Sequence, residues 1–243
     1  MIPLSDNVPR VHPPIMVLAL IAVNVLAFLY ELTLPHEQLM EFFYLMGVVP
    51  ARFADPNWAR MVGYPQGTLL PLATYMFLHS GWLHLILNMW MLWIFADNIE
   101  DVTGHGRFLV FYMICGLAAL GAHLALNSTA RIPIVGASGA IAGVKGAYFV
   151  LYPHGRVNTL IPIFFIPIIV RIPAAVFLGI WMALQILAGM SSSASGQVGG
   201  VAWWAHVGGF LTGALLIRVF RRADRCYYCY DPARKHYDKM DED

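Results

Sequence analysis

The sequence predicts an all-α membrane protein with six transmembrane helices. Of the 243 residues, 59% are hydrophobic and only 12% are charged, whereas a soluble domain carries about 25% charged residues. A helix needs roughly 20 apolar residues to cross a hydrocarbon core, and six runs approach that length. They cover residues 15–34, 72–96, 108–126, 135–152, 174–188 and 201–220.

The composition also argues against other classes of protein. The formal net charge is +1 and no basic stripe with interleaved aromatic residues is visible, so nucleic-acid binding is not predicted. Three cysteines are too few for a disulfide framework. Cys226 and Cys229 form a C-x-x-C pair, which is at most half of a zinc site, and no metal is predicted there.

The segments outside the six runs predict loops and tails. Residues 159–170 are apolar but short and are interrupted by Pro162 and Pro167, so we expect an interfacial or re-entrant segment. Residues 35–71 contain Trp58 and several prolines and glycines, and they predict a partly membrane-embedded first loop. The predicted organisation is a cytoplasmic N-terminal segment 1–14, a membrane domain 15–222 and a solvated, charged cytoplasmic tail 223–243.

Lysine and arginine residues in the loops predict the orientation, because cytoplasmic loops are enriched in them. One side would hold Arg10, Arg107, Arg156, Arg218, Arg221, Arg222 and Arg225, and the other side Arg52, Arg60 and Arg131. Both termini are therefore predicted in the cytoplasm, and the predicted location is a bacterial cell (inner) membrane. Spans two, four and six would then begin on the outer side.

Ser138 is the first candidate for chemistry. Gly136 and Gly139 flank it closely and permit a tight turn, while a helix start offers free N–H groups that stabilise an anion. Small residues spaced four apart, such as Gly139 and Gly143, also mediate helix packing in membranes. On this segment alone, helix packing is the favoured interpretation.

His206, in "WWAHVGGFLTG", favours the catalytic interpretation instead. A hydroxyl needs a nearby base to become nucleophilic at neutral pH, and His206 is predicted at the same depth as Ser138. Gly208 and Gly209 remove side-chain bulk, so spans four and six can approach closely. No acidic residue lies beside His206 or at the outer ends of these spans, so a Ser–His dyad is predicted rather than a triad.

His84 and Asn88 predict a donor cluster in span two. Residues four apart share one helix face, and each of these side chains offers an N–H group. Together with the backbone amide of Ser138 they would stabilise an oxyanion. His79 falls on a different face of the helix and does not complete a metal site, so neither a metal nor another cofactor is predicted.

With these motifs the chain resembles the rhomboid family of intramembrane serine proteases. The strings "HSGWLHLILNMW", "NIEDVTGHGRF", "GASGAIAG" and "WAHVGGF" carry the resemblance, which extends from about residue 15 to 222. The resemblance implies that Ser138 is the nucleophile, that His206 is the general base, and that His84 and Asn88 stabilise the oxyanion.

The same resemblance implies a structural element at Glu100 and Gly104, where we expect Glu100 to tie down helix ends. Many family members carry an aromatic residue four positions after the serine, but this chain has Ala142 there. Another side chain must then orient the histidine, and Trp203 or Trp204 is the expected one.

Lys145 lies seven residues after Ser138, about 10 Å further along a helix, and is therefore a poor base for it. We expect Lys145 to extend towards the cytoplasmic face or to meet a backbone carbonyl.

The predicted activity is intramembrane serine endopeptidase. Its partners would be the transmembrane segments of other proteins and the lipid bilayer, and no oligomeric state is predicted. Two alternatives stay open: an inactive relative that binds membrane helices as a chaperone or scaffold, and a small channel or transporter. The channel would be lined by Ser138, His84, Asn88 and Lys145.

Overall fold

The chain is mostly helical in the computed structural model, which describes residues 1–65, 67–163, 166–194, 200–225, 228–231 and 236–239. The helices are α1 Ile15–Glu31, α2 His36–Met46, α3 Pro50–Ala54, α4 Pro56–Met61, α5 Pro71–Thr74, α6 Trp82–Thr103, α7 His105–Leu126, α8 Ser138–Leu151, α9 Ala174–Ala194 and α10 Trp203–Phe220. Short 3₁₀ helices cover Tyr75–Phe77 and Ala223–Arg225. The strands are β1 Ile2–Ser5, β2 Arg156–Ile163, β3 Ile166–Pro173, β4 Tyr228–Asp231 and β5 His236–Lys239.

Among the described residues, three helices are long and apolar enough to cross a membrane, namely α7, α9 and α10. Two shorter helices, α1 and α8, are also apolar. Helix α6 is 22 residues long but carries Asp97, Glu100 and Asp101 near its end. It begins at Trp82, so the predicted start of this run at residue 72 is wrong. The intervening residues form α5, a 3₁₀ turn and a bend.

Helix α8 is the centre of the helix bundle. It packs against α6, α7, α9 and α10, and every residue from Gly139 to Tyr148 is buried. Its 14 residues span only about 21 Å at about 1.5 Å per residue. The apolar side chains of α8 are therefore covered by the neighbouring helices.

Glycines let the backbones of α8 and α10 touch. A Cβ atom added to Gly213 would lie 1.8 Å from the carbonyl oxygen of Gly143, and one added to Gly209 would lie 2.1 Å from that of Gly139. Both pairs repeat at a spacing of four residues, which is the small-residue pattern of close helix packing in membranes. The two helices therefore cross at backbone contact, and their first turns lie side by side.

The prediction of an all-α fold is wrong for residues 156–163 and 166–173. Strands β2 and β3 form an antiparallel hairpin and β1 pairs with β2, where an interfacial or re-entrant segment was expected. The β-branched residues of this segment favour strands. Pro162 pairs with Pro167 beyond the part of β2 that contacts β1 and one pair before the last, Ile163 with Ile166, so the two missing N–H donors fall near the connected end of the hairpin, away from β1.

The segment that joins β1 to α1 is tied to the helices. The N–H of Val11 donates to Asp101 Oδ2 at 2.7 Å, and the Tyr148 hydroxyl donates to Asp6 Oδ2 at 2.5 Å. Burial raises the pKa of the Asp6 carboxyl to about 7, because desolvation disfavours the charged form. The contact with Tyr148 is therefore made by a carboxyl group that takes up a proton near neutral pH.

Glu100 joins the end of α6 to the start of α1. Its two carboxylate oxygens accept the N–H groups of Met16 and Val17, each at 2.8 Å. These are free donors of the first turn of α1. Gly104 separates α6 from α7 and has φ +79°, a conformation that favours glycine.

The first loop is built from α2, α3 and α4. Asp55 caps α4 by accepting the N–H groups of Asn57 and Trp58, and the Arg131 guanidinium lies 5.0 Å from the Trp58 ring centre. The backbone N–H of Ala51 donates to Ala130 at 2.9 Å. The loop thus packs against the segment before α8, and its embedding in a membrane stays a prediction.

The tail, which was predicted to be a solvated extension, exposes Ala223 and Asp224 but also packs partly against the helices. Strands β4 and β5 pair, Tyr237 is buried, and its ring centre lies 5.8 Å from that of Tyr152 at the end of α8. Tyr230 stacks on His154 with 4.4 Å between ring centres. Cys226 of the C-x-x-C pair lies outside the described residues.

The contact between α8 and α10 predicts that Gly213→Ala lowers stability. The new methyl group must displace the Gly143 carbonyl, so we expect a loss of about 1–3 kcal/mol in the free energy of unfolding, measured in detergent micelles. The matched control is Gly121→Ala in α7, where no atom lies within 4 Å of the added Cβ. Equal losses in the two variants would contradict the close approach.

Candidate active site

Ser138 and His206 contact each other directly. Ser138 is the first residue of α8 and His206 lies in the first turn of α10. The distance from Ser138 Oγ to His206 Nε2 is 2.8 Å, which is an ordinary hydrogen bond. The expected meeting of these two side chains is therefore present in the structure.

Gln185 of α9 holds the other side of the imidazole. Its Oε1 atom lies 2.7 Å from His206 Nδ1. An amide oxygen only accepts hydrogen bonds, so Nδ1 carries the proton and Nε2 of the neutral ring is left as an acceptor. This tautomer is the one that can take the Ser138 hydroxyl proton.

The sequence-based reasoning missed Gln185 because it searched for a carboxylate. A single glutamine in an otherwise apolar stretch of α9 was the available signal, since a polar group in such a helix usually faces the protein interior. The expectation that Trp203 or Trp204 orients His206 is wrong for the polar contact. The ring of Trp203 lies edge-on to the imidazole at 6.2 Å, while His206 Nδ1 donates its hydrogen bond to Gln185.

The loop before α8 fixes the position of Ser138. Ile134 exchanges backbone hydrogen bonds with Val48 at 2.7 and 3.1 Å, and the N–H of Gly136 donates to Tyr75 O at 2.8 Å. Gly136 has φ +125°, a value that side chains rarely tolerate. The chain can therefore turn sharply into α8 with the serine at its first position.

His84 and Asn88 lie against this same loop. A Cβ atom added to Gly136 would be 2.7 Å from His84 Nε2 and 3.7 Å from Asn88 Nδ2. The backbone N–H of Ser80 lies 3.4 Å from His84 Nδ1, so Nδ1 is an acceptor and Nε2 carries the ring proton. Asn88 Nδ2 is buried and has no hydrogen-bond partner among the described residues. Both side chains thus place N–H groups beside the loop that leads to Ser138.

A cavity of about 1160 Å³ connects these groups. Its lining includes Ser138, His206, His84, Asn88, Gln185 and Lys145. The cavity combines a hydroxyl with a base, several N–H donors and enough room for water and a peptide segment. Such a cavity can support acyl transfer.

Lys145 does not extend to the cytoplasmic face, and that expectation is wrong. Its side chain is 5% exposed, and Nζ lies 3.9 Å from the centre of the Trp181 ring. The side chain turns inward because the indole face of Trp181 offers the ammonium a cation–π contact. Ala142 is also fully buried, and the Trp181 ring centre lies 6.0 Å from that of His206.

Metal ligands do not converge in the part of the chain that the structure describes. Among those residues, no group of three or more histidine, cysteine, aspartate or glutamate side chains could hold a metal ion. His79 and His84 lie close, with 5.0 Å between ring centres. The two rings pack edge to face, and they do not belong to a group of three or more ligands.

Comparison with known proteins points to one family. A family model described as a rhomboid domain matches residues 66–223, which is more than half of the chain. Among curated proteins, "Rhomboid protein 1, mitochondrial" of Saccharomyces cerevisiae is 32% identical over 146 residues. The match covers 57% of this chain and 38% of the yeast protein.

Two further relatives come from an animal and a bacterium. "Presenilin-associated rhomboid-like protein A, mitochondrial" of Danio rerio is 30% identical over 97 residues, 39% of this chain and 25% of that protein. "Rhomboid protease GluP" of Bacillus subtilis is 38% identical over 82 residues, 34% of this chain and 16% of that protein. The chain therefore spans well under half of the length of these relatives.

The hydrogen bond from His206 to Gln185 predicts a lower reactivity of Ser138 in Gln185→Leu. Without the amide oxygen, the imidazole loses the partner that selects its tautomer, so we expect labelling of Ser138 by a fluorophosphonate to slow by about 10–100-fold. Gln185→Glu keeps an acceptor and should retain more reactivity. Gln38→Leu, at an exposed position of α2, is the matched control. Unchanged labelling in Gln185→Leu would show that the contact does not orient His206.

Proposed function

The chain belongs to the rhomboid family, and we propose that it is an intramembrane serine endopeptidase. Its substrates would be transmembrane segments of other membrane proteins. The observation that carries the proposal is the 2.8 Å contact between Ser138 Oγ and His206 Nε2. Both residues line a large cavity. A relative from Bacillus subtilis is itself named a rhomboid protease.

In the proposed reaction Ser138 Oγ attacks the carbonyl carbon of the scissile peptide bond. His206 Nε2 takes the hydroxyl proton and then gives it to the leaving amine, which departs and leaves an acyl group on Ser138. Water, activated by the same nitrogen, hydrolyses the ester and restores the serine. The cavity supplies the room that water needs.

The oxyanion of the tetrahedral intermediate would be bound by three donors. These are the side chains of His84 and Asn88 and the backbone N–H of Ser138 at the start of α8. Two observations support this arrangement: the ring proton of His84 faces the loop before Ser138, and Asn88 Nδ2 is buried without a protein partner. Preorganised donors of this kind stabilise the charge that develops in acyl transfer.

The protein is an integral membrane protein, and the proposed topology has six spans formed by α1 and α6 to α10. Large apolar side chains are exposed on α1, α6, α7, α9 and α10, including Leu26, Leu83, Val110, Leu187 and Leu215, as expected for surfaces that contact lipid tails. Helix α8 exposes none, so its short length is compatible with a central position.

The site lies at one end of α8 and of α10, so cleavage is proposed near one membrane surface. A helical substrate must unwind there, because its carbonyl groups are otherwise hydrogen-bonded. Segments with weak helix formers such as glycine would therefore be preferred. The relatives include two mitochondrial proteins and one from a bacterium. These relatives therefore do not support the prediction of a bacterial cell membrane in preference to a mitochondrial membrane.

Ser138→Ala and His206→Ala should each abolish proteolysis. Each removes one member of a unit that acts together, so we expect the rate of cleavage of a transmembrane reporter by the reconstituted protein to fall by about 10³-fold or more. Ser5→Ala and His36→Ala, at exposed positions, are the matched controls. Undiminished cleavage by either active-site variant would exclude the dyad. A wild-type protein that neither cleaves nor reacts with a fluorophosphonate would instead indicate a non-catalytic relative.

Asn88→Ala should lower kcat with little change in KM. The side-chain amide acts on the developing oxyanion rather than on the bound substrate, and loss of one such donor costs about 10²–10³ in kcat. Asn57→Ala in α4 serves as the control. A change confined to KM would place Asn88 in substrate binding instead.

A further inference from the structure

Lys145 places a buried amino group in the same cavity as the proposed dyad. It lies two turns along α8 from Ser138 and is 5% exposed. The two residues are separated by about 10 Å along the helix axis, and side chains on a helix lean towards its N-terminus, so the Lys145 side chain leans towards the serine.

The Trp181 ring joins Lys145 to the dyad. Its centre is 3.9 Å from Lys145 Nζ and 6.0 Å from the centre of the His206 ring. Trp181 and Gln185 occupy successive turns of α9. Trp181, which contacts Lys145, and Gln185, which contacts His206, therefore lie along one wall of the cavity.

The ammonium lacks an acceptor within the protein. Across the described ranges, Lys145 has no hydrogen bond and no carboxylate partner. Lysine carries three N–H donors, and the indole face of Trp181 satisfies only one side of the ammonium. A buried ammonium without a counter-charge is costly, and Lys145 lines the cavity, so an anionic group that enters there can pair with it.

We infer that Lys145 and Trp181 form a subsite for an acidic side chain of the substrate. The inference rests on the proposed function, because the ligand is a residue of the segment that reaches Ser138. The carboxylate supplies the missing counter-charge and accepts the free N–H donors. Because Lys145 lies deeper along α8 than Ser138, the longer side chain of glutamate should reach it better than that of aspartate does.

The subsite acts on specificity rather than on bond cleavage. A charge-assisted hydrogen bond is about twice as strong as a neutral one, so a substrate with glutamate in the subsite should exceed its glutamine counterpart by about tenfold or more in kcat/KM. The measured quantity is the ratio for the two substrates, which does not depend on how much of a variant is folded.

The experiment scans glutamate and glutamine through each position that flanks the cut in a transmembrane reporter. Wild-type protein, Lys145→Met, Lys145→Arg and Arg218→Met are compared in proteoliposomes. Arg218→Met removes one positive charge at an exposed position near the end of α10 and is the matched control. We expect a preference for glutamate at one position, its loss in Lys145→Met, and its retention in Arg218→Met and in part in Lys145→Arg.

The inference is overturned if no position favours glutamate in the wild-type protein, or if Lys145→Met keeps the same ratio. A second measurement separates this result from a failure of the proposed function. Fluorescence anisotropy gives the affinity of labelled glutamate and glutamine peptides for Ser138→Ala, with and without Lys145→Met, and requires no cleavage. If the wild-type protein cuts nothing, the ratio of these two affinities decides the inference by the same criteria.

Discussion

The backbone contact between α8 and α10 is the constraint on which the site depends. Paired glycines remove the side chains that would hold the two helices apart, so residues at their first turns approach within hydrogen-bond distance. Ser138 and His206 occupy these turns. The same small-residue pattern that is typical of plain helix packing therefore also brings the proposed nucleophile and base together, and the two interpretations of this segment are compatible.

The polarity of the site is provided mainly by neutral groups. Gln185, rather than a carboxylate, accepts the hydrogen bond from His206, and an amide costs less to bury in apolar surroundings than an ionised acid does. The one buried cation beside the site among the described residues, Lys145, has an indole as its partner. In the proposed protease, hydrogen-bond direction rather than net charge would therefore orient the reacting groups.

Apolar length predicted much of this architecture, but three features could not be predicted from it. The helices lie close to the predicted runs because lipid-crossing length leaves a strong signal in composition. The β2–β3 hairpin was missed because apolar, β-branched residues interrupted by prolines fit a short buried segment equally well. Gln185 and the inward turn of Lys145 depend on tertiary neighbours, chiefly Trp181, that no local pattern specifies. The juxtaposition of Ser138 and His206 was predicted because the apolar runs and the loop charges put the starts of spans four and six on the same side.

The most direct test of the account is whether one small molecule can bridge Ser138 and His206. An activated serine adds its oxygen to the carbonyl carbon of a peptidyl chloromethyl ketone. An adjacent imidazole nitrogen then displaces chloride from the methylene carbon and is alkylated. Mass spectrometry of the treated protein should therefore find the reagent on His206 Nε2, and Ser138→Ala should prevent that modification. An unmodified His206, or equal alkylation in Ser138→Ala, would contradict the pairing of these two residues.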